Sequence, residues 1–353
     1  MNPLKISQKL YEHYESKETV KHYYGLLAIY GLVQTIELAE DESLTQRCNE
    51  ILSRFPDGID HPSYNFPSYK IGGIAKAYAF MKGFVPEAES QVKAYADEIM
   101  KAPRDSNGIV CHPCDPKAGL IWIDVAMAVT PYLLFAGIAL KEQSYIDEAA
   151  KQAFLMYEAF LDTDNGLLHQ AKNFMGPNTC SQDHWSRGNG WGYIALTELV
   201  QHLAKDSIHR EKAERYFKAL SKAILPYQSS RGLWRQEIPF EYSYEETSGT
   251  GLIIYGYGVG LRMGILEKEI YMPSFIKGVN GLNNVSINDD FSTERSCPGC
   301  LCPGEGEEAG SVKAYVTLPL PYTDEHHSFG PLMLSMVEAY KNGIVNLEKK
   351  QKA

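Results

Sequence analysis

Asp124 is the residue of this sequence best suited to acid–base chemistry. It is the only charged residue in the apolar run at residues 118–140, and Trp122 precedes it by two positions. An ionised carboxylate without partners is costly in such surroundings, so the group must be paired, hydrogen-bonded or protonated. A carboxyl group that keeps its proton near neutral pH can act as a general acid. The run therefore predicts a carboxyl group with a raised pKa.

The same run has two other interpretations. Its length is close to the roughly 20 residues of a membrane-spanning helix, but Asp124 and Pro131 interrupt it and no second such segment exists. The flanking Lys117 and Lys141 give no orientation bias, so we expect no membrane association. Asp124 could also cap a helix that begins at Val125, since aspartate oxygens accept hydrogen bonds from free backbone amides. Capping is compatible with catalysis.

Aromatic and basic residues are concentrated in the segment WSRGNGW. Trp185 and Trp191 could stack on sugar rings, and Arg187 could hold a carboxylate through two parallel hydrogen bonds. The glycines leave room for a ligand or for neighbouring backbone. The segment is therefore either part of a binding site or a helix start that is packed for structural reasons.

Two histidines flank Asp124 in the sequence. His112 precedes it in the segment CHPC, and His169 follows it in DNGLLHQ. A histidine changes charge near neutral pH, although a single histidine is more often structural than catalytic. Their position on either side of an isolated carboxyl group makes both of them candidates for the same site.

Motifs for cofactor chemistry are missing from the sequence, which has no Gly-rich phosphate loop after a strand, no HExxH and no GxSxG. Seven cysteines, an odd number, fit reduced thiols better than a disulfide framework. Two groups, Cys111 with Cys114 and Cys297 with Cys300 and Cys302, could bind zinc only if they met in space. Free thiols are the simpler interpretation, and we expect acid–base chemistry without a metal or cofactor.

The composition limits the partners and the location. A net charge of −10 argues against a nucleic-acid-binding protein, although basic groups concentrated in one place could still hold an anionic ligand. The first residues, MNPLKISQKLYEHYESK, lack the apolar stretch of a signal peptide. We therefore expect a cytoplasmic protein, either a monomer or a homodimer.

The elements that must position these residues alternate along the chain. Six segments are rich in small and aromatic residues and carry few charges, as helices surrounded by protein do: residues 22–38, 69–81, 124–140, 187–203, 247–266 and 328–340. Six amphipathic segments alternate with them: residues 2–15, 42–55, 87–101, 145–161, 209–225 and 273–282. This alternation predicts an inner ring of helices wrapped by an outer ring, an all-α (α/α)6 barrel that forms a single domain over residues 1–353.

Parallel inner helices would place their N-terminal ends at one mouth of the barrel. Asp124, Arg187 and Glu246 all lie at such ends. The partial positive charge of helix N-termini favours a ligand that bears a carboxylate. We therefore expect a sugar acid at this mouth in preference to a neutral sugar.

Five segments in order, IWIDVAMA, GLLHQ, WSRGNGW, EETSGTG and DEHHSFGP, resemble glycoside hydrolase family 105. These are the unsaturated rhamnogalacturonyl hydrolases, which are related to the unsaturated glucuronyl hydrolases of family 88. The likeness extends from about Tyr23 to Glu338, and the ordered set is far more specific than any single motif. It implies the same six-fold barrel. It also implies substrates left by polysaccharide lyases, oligosaccharides whose terminal uronic acid has a double bond between C4 and C5.

The resemblance also implies a mechanism and a set of site residues. Asp124 would protonate C4 and then, as the carboxylate, assist the addition of water at C5, with His169 as a second catalytic residue. The resulting hemiketal would open and release the rest of the sugar. The residues implied for substrate binding are Tyr23, His112, Trp122, Trp185, Arg187 and Trp191.

One position departs from the family pattern. The family usually has a second aspartate near the start of the second inner helix, shortly after a Tyr-Asn pair. The pair at residues 64–65 matches that context, but Pro67 and Ser68 stand where the carboxylate is expected. Asp57 or Asp60 could replace it from the preceding loop.

Two alternative functions remain open on the same barrel. A conventional glucuronidase-type glycosidase would use Asp124 as the acid and a loop carboxylate such as Asp183 to activate water. A non-catalytic homologue that binds uronates would explain the missing second aspartate. Only a hydrating enzyme would remove the ultraviolet absorbance of the conjugated alkene in its first step.

Overall fold

The computed structural model describes residues 1–17, 20, 22–39, 41–55, 66–113, 119–317 and 320–349. Within these ranges the protein forms fourteen α-helices and two small antiparallel sheets of two strands each. The all-α class expected from the sequence is confirmed. Most of the helices belong to two concentric rings.

The inner ring consists of six helices that are buried over nearly their whole length. They are α2 (Tyr23–Ala39), α5 (Gly73–Met81), α7 (Asp124–Leu140), α9 (Ser186–His202), α11 (Thr247–Arg262) and α14 (Phe329–Lys341). Each packs against the next, and α14 packs against α2 to close the ring. Their near-uniform burial explains why these segments carry so few charges.

The outer ring consists of six amphipathic helices. They are α1 (Pro3–Lys17), α3 (Glu42–Ser53), α6 (Glu89–Met100), α8 (Gln143–Phe160), α10 (Arg210–Ile224) and α12 (Lys268–Gly281). Each packs on the inner ring; for example, α8 contacts α7 and α9, and α10 contacts α9. Two shorter helices, α4 (Pro67–Lys70) and α13 (Val312–Thr317), lie in the connections. The expected (α/α)6 barrel is confirmed.

The two small sheets lie where chain segments enter the inner helices. Strand β1 (Ile121–Trp122) pairs with β2 (Ala171–Lys172), and β3 (Trp234–Arg235) pairs with β4 (Glu245–Glu246). Because β1 leads into α7 and β4 leads directly into α11, these pairings fix the N-terminal ends of both helices. These ends carry the residues singled out in the sequence.

The apolar run around Asp124 forms helix α7. Asp124 is the first residue of the helix, Ile123 is the capping residue, and no side chain caps this end. The interpretation of Asp124 as the cap of a helix that begins at Val125 is therefore wrong. Within the described ranges no helix, α7 included, has the length and apolar character needed to cross a membrane.

The glycines of WSRGNGW allow helices to approach closely. A Cβ atom on Gly190 would lie 2.6 Å from the side chain of Leu252 on α11, and one on Gly192 would lie 2.5 Å from that of Leu168. Both distances are shorter than packed side chains tolerate, so these glycines bring α9 against its neighbours. The sequence left two roles open for these glycines, room for a ligand or room for neighbouring protein. The structure shows the close approach of protein.

Candidate active site

Asp124 lies half-buried at the N-terminal end of α7. The residue before it is held by the β1–β2 pair, since the backbone N–H of Ile123 donates to the carbonyl oxygen of Gln170 over 2.9 Å. Its Oδ2 atom is buried and has no hydrogen-bond partner among the described residues. A buried acceptor in this state needs a proton, a water molecule or a ligand.

Burial raises the pKa of Asp124 to about 6. The positive charge of Arg187, the backbone N–H of Asp124 itself and the indole of Trp191 oppose the effect of burial, whereas the negative charge of Asp183 adds to it. A carboxyl group with this pKa is protonated in a useful fraction of molecules near neutral pH. The raised pKa expected from the apolar run is thus present in the structure.

The raised pKa predicts that Asp124→Asn stabilises the protein above pH 6. Asp124 binds its proton more tightly in the folded chain than in the unfolded one, so wild-type stability falls as the pH rises from about 4 to about 6. Asparagine does not titrate, so the variant avoids this loss. Above pH 6 we expect it to exceed the wild type by roughly 1–3 kcal/mol in free energy of unfolding, since Asp124 is only half-buried.

Denaturant unfolding of both proteins at pH 4 and pH 7.5 measures this difference. The gain from Asp124→Asn should shrink to a few tenths of a kcal/mol near pH 4, where the wild-type carboxyl group is protonated in the folded state and roughly half protonated in the unfolded state. An equal gain at both pH values would show that the asparagine stabilises the protein by some other route.

The aromatic–basic cluster is fully enclosed by protein. Trp185, Arg187 and Trp191 have exposed fractions of 2%, 0% and 1%. The guanidinium carbon of Arg187 lies 4.3 Å from the ring centre of Trp185, a cation–π contact. The indole N–H of Trp185 finds no hydrogen-bond partner in the part of the chain that the structure describes.

Arg187 connects α9 to the loop that follows residue 296. One terminal nitrogen donates to Ser248 Oγ over 3.0 Å and to the carbonyl oxygen of Cys297, and the other donates to the carbonyl oxygen of Pro298 over 3.1 Å. The sequence predicted that the guanidinium group of Arg187 holds a carboxylate, but in the structure both of its terminal nitrogens donate to protein atoms. Direct contact of Arg187 with a substrate stays a prediction, while its charge already acts on Asp124.

Tyr23 belongs to a chain of short hydrogen bonds that the sequence did not reveal. Its hydroxyl lies 2.5 Å from Nε2 of His327, and Nδ1 of that ring lies 2.6 Å from Oε1 of Glu325. Burial raises the pKa of Glu325, but His327, the hydrogen bonds to Glu325 and the charge of Arg187 outweigh it and hold this pKa below its usual value. The carboxylate therefore accepts from Nδ1, and Nε2 accepts from the tyrosine.

These hydrogen bonds fix the position of Tyr23, which is linked to Asp124 through Tyr69. The ring of Tyr23 stacks on that of Tyr69 with centres 5.7 Å apart. Burial raises the pKa of Tyr69, and the charge of Asp124 raises it further, so the two groups interact. The motif DEHHSFGP contains Glu325 and His327. Their link to Tyr23 could not be predicted from the sequence, because Tyr23 and His327 are 304 residues apart.

We predict that Tyr23→Phe lowers kcat/KM by roughly 10- to 100-fold toward an unsaturated disaccharide. The change removes one hydroxyl group at the mouth and one donor to buried His327, a loss of about 1.5–3 kcal/mol if the hydroxyl contacts the substrate. Tyr242→Phe, at a side chain that is 92% exposed, is the matched control. A Tyr23→Phe enzyme within twofold of the wild type would exclude that contact.

His112 and Trp122 pack against each other before α7. Both are buried, and their ring centres lie 4.0 Å apart. Phe66 and Phe174 extend this aromatic group, with centres 6.1 Å from His112 and 5.9 Å from Trp122. The structure thus brings His112 and Trp122 together immediately before Asp124, as a binding wall would require.

His169 contacts the loop before α9. Its Nδ1 atom is 3.0 Å from the backbone carbonyl oxygen of Asp183, and its ring lies beside that of His184 with centres 5.0 Å apart. Among the described residues it forms no hydrogen bond with Asp124. Its expected catalytic role therefore has no support from contacts.

Asp183 is closed to solvent. Its Oδ1 accepts from the backbone N–H of Gln170 over 3.2 Å and from the hydroxyl of Ser181, and its Oδ2 accepts from the backbone N–H of Trp185 over 3.0 Å. These bonds tie the loop before α9 to the β1–β2 pair. A carboxylate so engaged is poorly placed to activate a water molecule.

Glu246 serves as the cap of α11. Its oxygens accept from the backbone N–H groups of Ser248, Gly249 and Cys297 over 2.8, 2.6 and 2.9 Å, and from the hydroxyl of Ser186 over 2.9 Å. A fully buried carboxylate with this many donors is satisfied by the protein. The motif EETSGTG is therefore structural at this residue.

The position of the missing second aspartate is occupied by a short helix. Pro67 begins α4, and the buried hydroxyl of Ser68 donates to the carbonyl oxygen of Ala128 on α7 over 2.7 Å. Ser68 therefore supports the helix that carries Asp124. The proposed replacements Asp57 and Asp60, like the pair at residues 64–65, lie outside the described residues.

The cysteine groups do not form the zinc site considered above within the described residues. Cys297 and Cys300 are buried with sulfur atoms 3.7 Å apart, whereas the sulfur of Cys302 lies 3.1 Å from that of Met175. Cys111 is buried elsewhere, with its sulfur 3.9 Å from the carbonyl oxygen of Ile109, and Cys114 lies outside the described residues. No three described cysteines come close enough to hold a metal.

Comparison with proteins of known structure supports the fold. A possible member of glycoside hydrolase family 105 from Salmonella enterica has a TM-score of 0.81 at 20% identity, covering 96% of this chain and 94% of that one. An unsaturated glucuronyl hydrolase from Bacillus sp. GL1 has a TM-score of 0.68 at 16% identity, covering 93% and 88%. At these identities the likeness shows a shared barrel.

Sequence comparison identifies relatives with a named activity. An unsaturated 3S-rhamnoglycuronyl hydrolase from Formosa agariphila is 28% identical over 178 residues, 48% of this chain, and the match spans about half (47%) of that relative's length. A second protein of that name, from Alteromonas sp., is 20% identical over 297 residues, covering 79% of this chain and 70% of the relative. The model of Glycosyl Hydrolase Family 88 matches residues 4–342. The resemblance drawn from the five motifs is thereby confirmed, and the chain belongs to glycosyl hydrolase family 88.

Proposed function

We propose that this protein removes a terminal 4,5-unsaturated uronic acid from oligosaccharides by hydrating the C4–C5 double bond, with Asp124 as general acid and base. The observation that carries the proposal is a half-buried carboxyl group with a pKa of about 6 at the N-terminal end of an inner helix. The family supports it, and so do the two relatives named as unsaturated 3S-rhamnoglycuronyl hydrolases.

The reaction uses both protonation states of Asp124. The carboxyl group delivers its proton to C4 of the enol ether, and the positive charge that develops at C5 is shared with the ring oxygen. The resulting carboxylate accepts a proton from a water molecule as its oxygen bonds to C5. The hemiketal so formed opens to a ketone at C5, which frees C1 to release the remaining sugar as an alcohol.

A pKa near 6 suits this double role. A carboxyl group with the ordinary value for aspartate would rarely hold a proton at neutral pH, and a much weaker acid would be a poor proton donor. Burial supplies the shift, and the charge of Arg187 limits it. The environment of Asp124 is thus consistent with an acid that regenerates in each cycle.

Unpartnered donors near Asp124 favour an anionic, oxygen-rich ligand. The indole N–H of Trp185 and the Nε–H of Arg187 are buried and have no acceptor within the described ranges. A uronic acid offers hydroxyl and carboxylate oxygens that can accept from such groups. The partial positive charge of the inner-helix N-termini adds to the preference for an anion.

The glycosidase alternative is less well supported. It needs a second carboxylate that activates water, and Asp183, named for that role, is buried and accepts from three groups of the protein. Glu246 is occupied in the same way as the cap of α11. Neither carboxylate is arranged to serve as that base.

Paired substrates test the proposal. An unsaturated glucuronyl-rhamnose disaccharide, chosen after the names of the relatives, should lose its alkene absorbance when the enzyme is added. The saturated disaccharide of the same linkage should stay intact, because it has no double bond to protonate. Cleavage of the saturated sugar would support the glycosidase, and binding without turnover of unsaturated fragments from several lyases would support the non-catalytic homologue.

A further inference from the structure

A group of metal-ligand side chains lies outside the chemistry proposed above. Asp162, His169 and His184 meet within the connection between α8 and α9, with Asp162 two residues after the end of α8 and His184 two residues before the start of α9. One ligand atom from each residue lies within 4.8 Å of the other two. Two imidazoles and one carboxylate form a ligand set that suits divalent transition metals.

Asp162 and His184 are already paired. Nε2 of His184 lies 2.8 Å from Oδ2 of Asp162, with the side-chain amide of Asn165 within 3.0 Å of both atoms. A metal ion would take the place of the proton between this nitrogen and oxygen.

His169 has the tautomer that a metal ligand needs. A backbone carbonyl can only accept, so the contact between Nδ1 of His169 and the carbonyl oxygen of Asp183 places the ring proton on Nδ1. Nε2 is left with a lone pair. A hydrogen bond from the second ring nitrogen to a carbonyl is the usual support of a histidine that binds a metal.

The backbone holds all three residues in place. The N–H of Asp162 donates to Leu167 and that of His169 to Phe160, each over 2.9 Å, across a tight turn. The N–H of His184 donates to the buried carboxyl group of Glu237 over 2.7 Å. Ligands that are fixed before binding lose little conformational entropy when an ion arrives.

We propose that Asp162, His169 and His184 bind one divalent transition-metal ion of the zinc class. Neighbouring ligand atoms in a tetrahedral zinc site are about 3.3 Å apart. The 2.8 Å spacing between His184 and Asp162 therefore has to widen by about 0.5 Å, and the spacings to His169 have to contract by at most about 1.5 Å, which side-chain rotation can provide. The Asp162 and His184 side chains retain exposed fractions of 20% and 11%, which leaves room for water to complete the coordination. The sequence did not predict a metal here.

The metal would link the start of the connection between α8 and α9, at Asp162, to its end, at His184. His169 bonds to the backbone of Asp183, and the carboxylate of Asp183 accepts from the backbone of Trp185. An ion at this place would therefore stabilise the segment that carries Trp185 and Arg187. Its role is to position that segment, and no step of the proposed hydration passes through it.

Zinc titration of the chelator-treated full chain tests this site. We expect one Zn²⁺ per chain by calorimetry and a rise in the thermal midpoint when Zn²⁺ is present. Asp162→Asn, His169→Gln and His184→Gln should each weaken the affinity by roughly 10- to 100-fold. Asp162→Asn is nearly isosteric and partly exposed, so it keeps the test valid if a histidine variant fails to fold.

A matched control comes from a second aspartate–histidine pair. His209 Nε2 lies 2.8 Å from Asp147 Oδ1, the same spacing, but no third described ligand joins them. His209→Gln should therefore leave zinc affinity unchanged. Co²⁺ in place of Zn²⁺ should give weak visible bands without the strong near-ultraviolet absorption of a thiolate complex.

Three results would overturn the proposal. They are no zinc binding by the wild type, equal binding by the wild type and the three ligand variants, or a thiolate signal that Cys297→Ser removes. None of these measurements depends on turnover. A failure of the proposed hydration chemistry therefore leaves the outcome for this site unaffected.

Discussion

Asp124→Asn is expected to lower kcat for an unsaturated disaccharide by at least about 1000-fold. Asparagine has nearly the same shape but cannot donate a proton to C4 or accept one from water. General acid–base catalysis by one group is worth roughly 100- to 10,000-fold, and here one residue serves in both steps. Loss of the alkene absorbance under saturating substrate measures the effect.

The variant should still fold and bind ligand. Its affinity for the unsaturated disaccharide, measured by calorimetry, should stay within about tenfold of the wild-type value, because the change is nearly isosteric. Asp206→Asn, at an exposed residue beyond the C-terminal end of α9, controls for the loss of one negative charge. Residual turnover above about 1% in Asp124→Asn would mean that another group supplies the proton.

The second large effect is a fall of kcat/KM as the pH rises above about 6. The free enzyme must hold its proton on Asp124 to begin the reaction, and burial sets the pKa of this group to about 6. Each further pH unit then lowers the protonated fraction about tenfold, so kcat/KM at pH 8 should be about 100-fold below its plateau. Initial rates at low substrate concentration between pH 4.5 and 8.5 provide the profile.

Arg187 provides a way to shift this profile. Its positive charge favours ionised Asp124, so Arg187→Met should move the falling limb to higher pH. Circular dichroism must show that this variant is folded, since the change removes three hydrogen bonds. A profile that is flat from pH 5 to pH 8, or that rises with pH, would contradict an acid with this pKa.

Most of the fold could be predicted from the pattern of apolar and charged residues along the chain. An inner helix of a closed ring is surrounded by protein, so it must be apolar on every face, and an outer helix needs only one apolar stripe. The segment at residues 247–266, rich in small residues, and the charged segment at residues 209–225 show this contrast. Boundaries were less accurate where the stripe is interrupted: α12 begins at Lys268, five residues before the expected start at residue 273.

The candidate site was predicted in part. Asp124 stood out because a charge is costly in an apolar helix, and that argument needs no knowledge of neighbours. The cluster WSRGNGW was found by residue type, and its burial matches one of the two interpretations that the sequence left open, a helix start packed for structural reasons. The carbonyl groups that occupy Arg187 belong to residues 297 and 298, whose position follows only from how the chain folds.

The sequence by itself determined the two rings of helices and the acid at the start of α7, because hydrophobic periodicity and the cost of a buried charge are local properties. Tertiary structure decided which side chains meet. The contact of Tyr23 with His327 and that of Asp162 with His184 join residues far apart in the chain. Hydrogen bonds depend on distances within a few tenths of an ångström, and only the packed barrel fixes such distances.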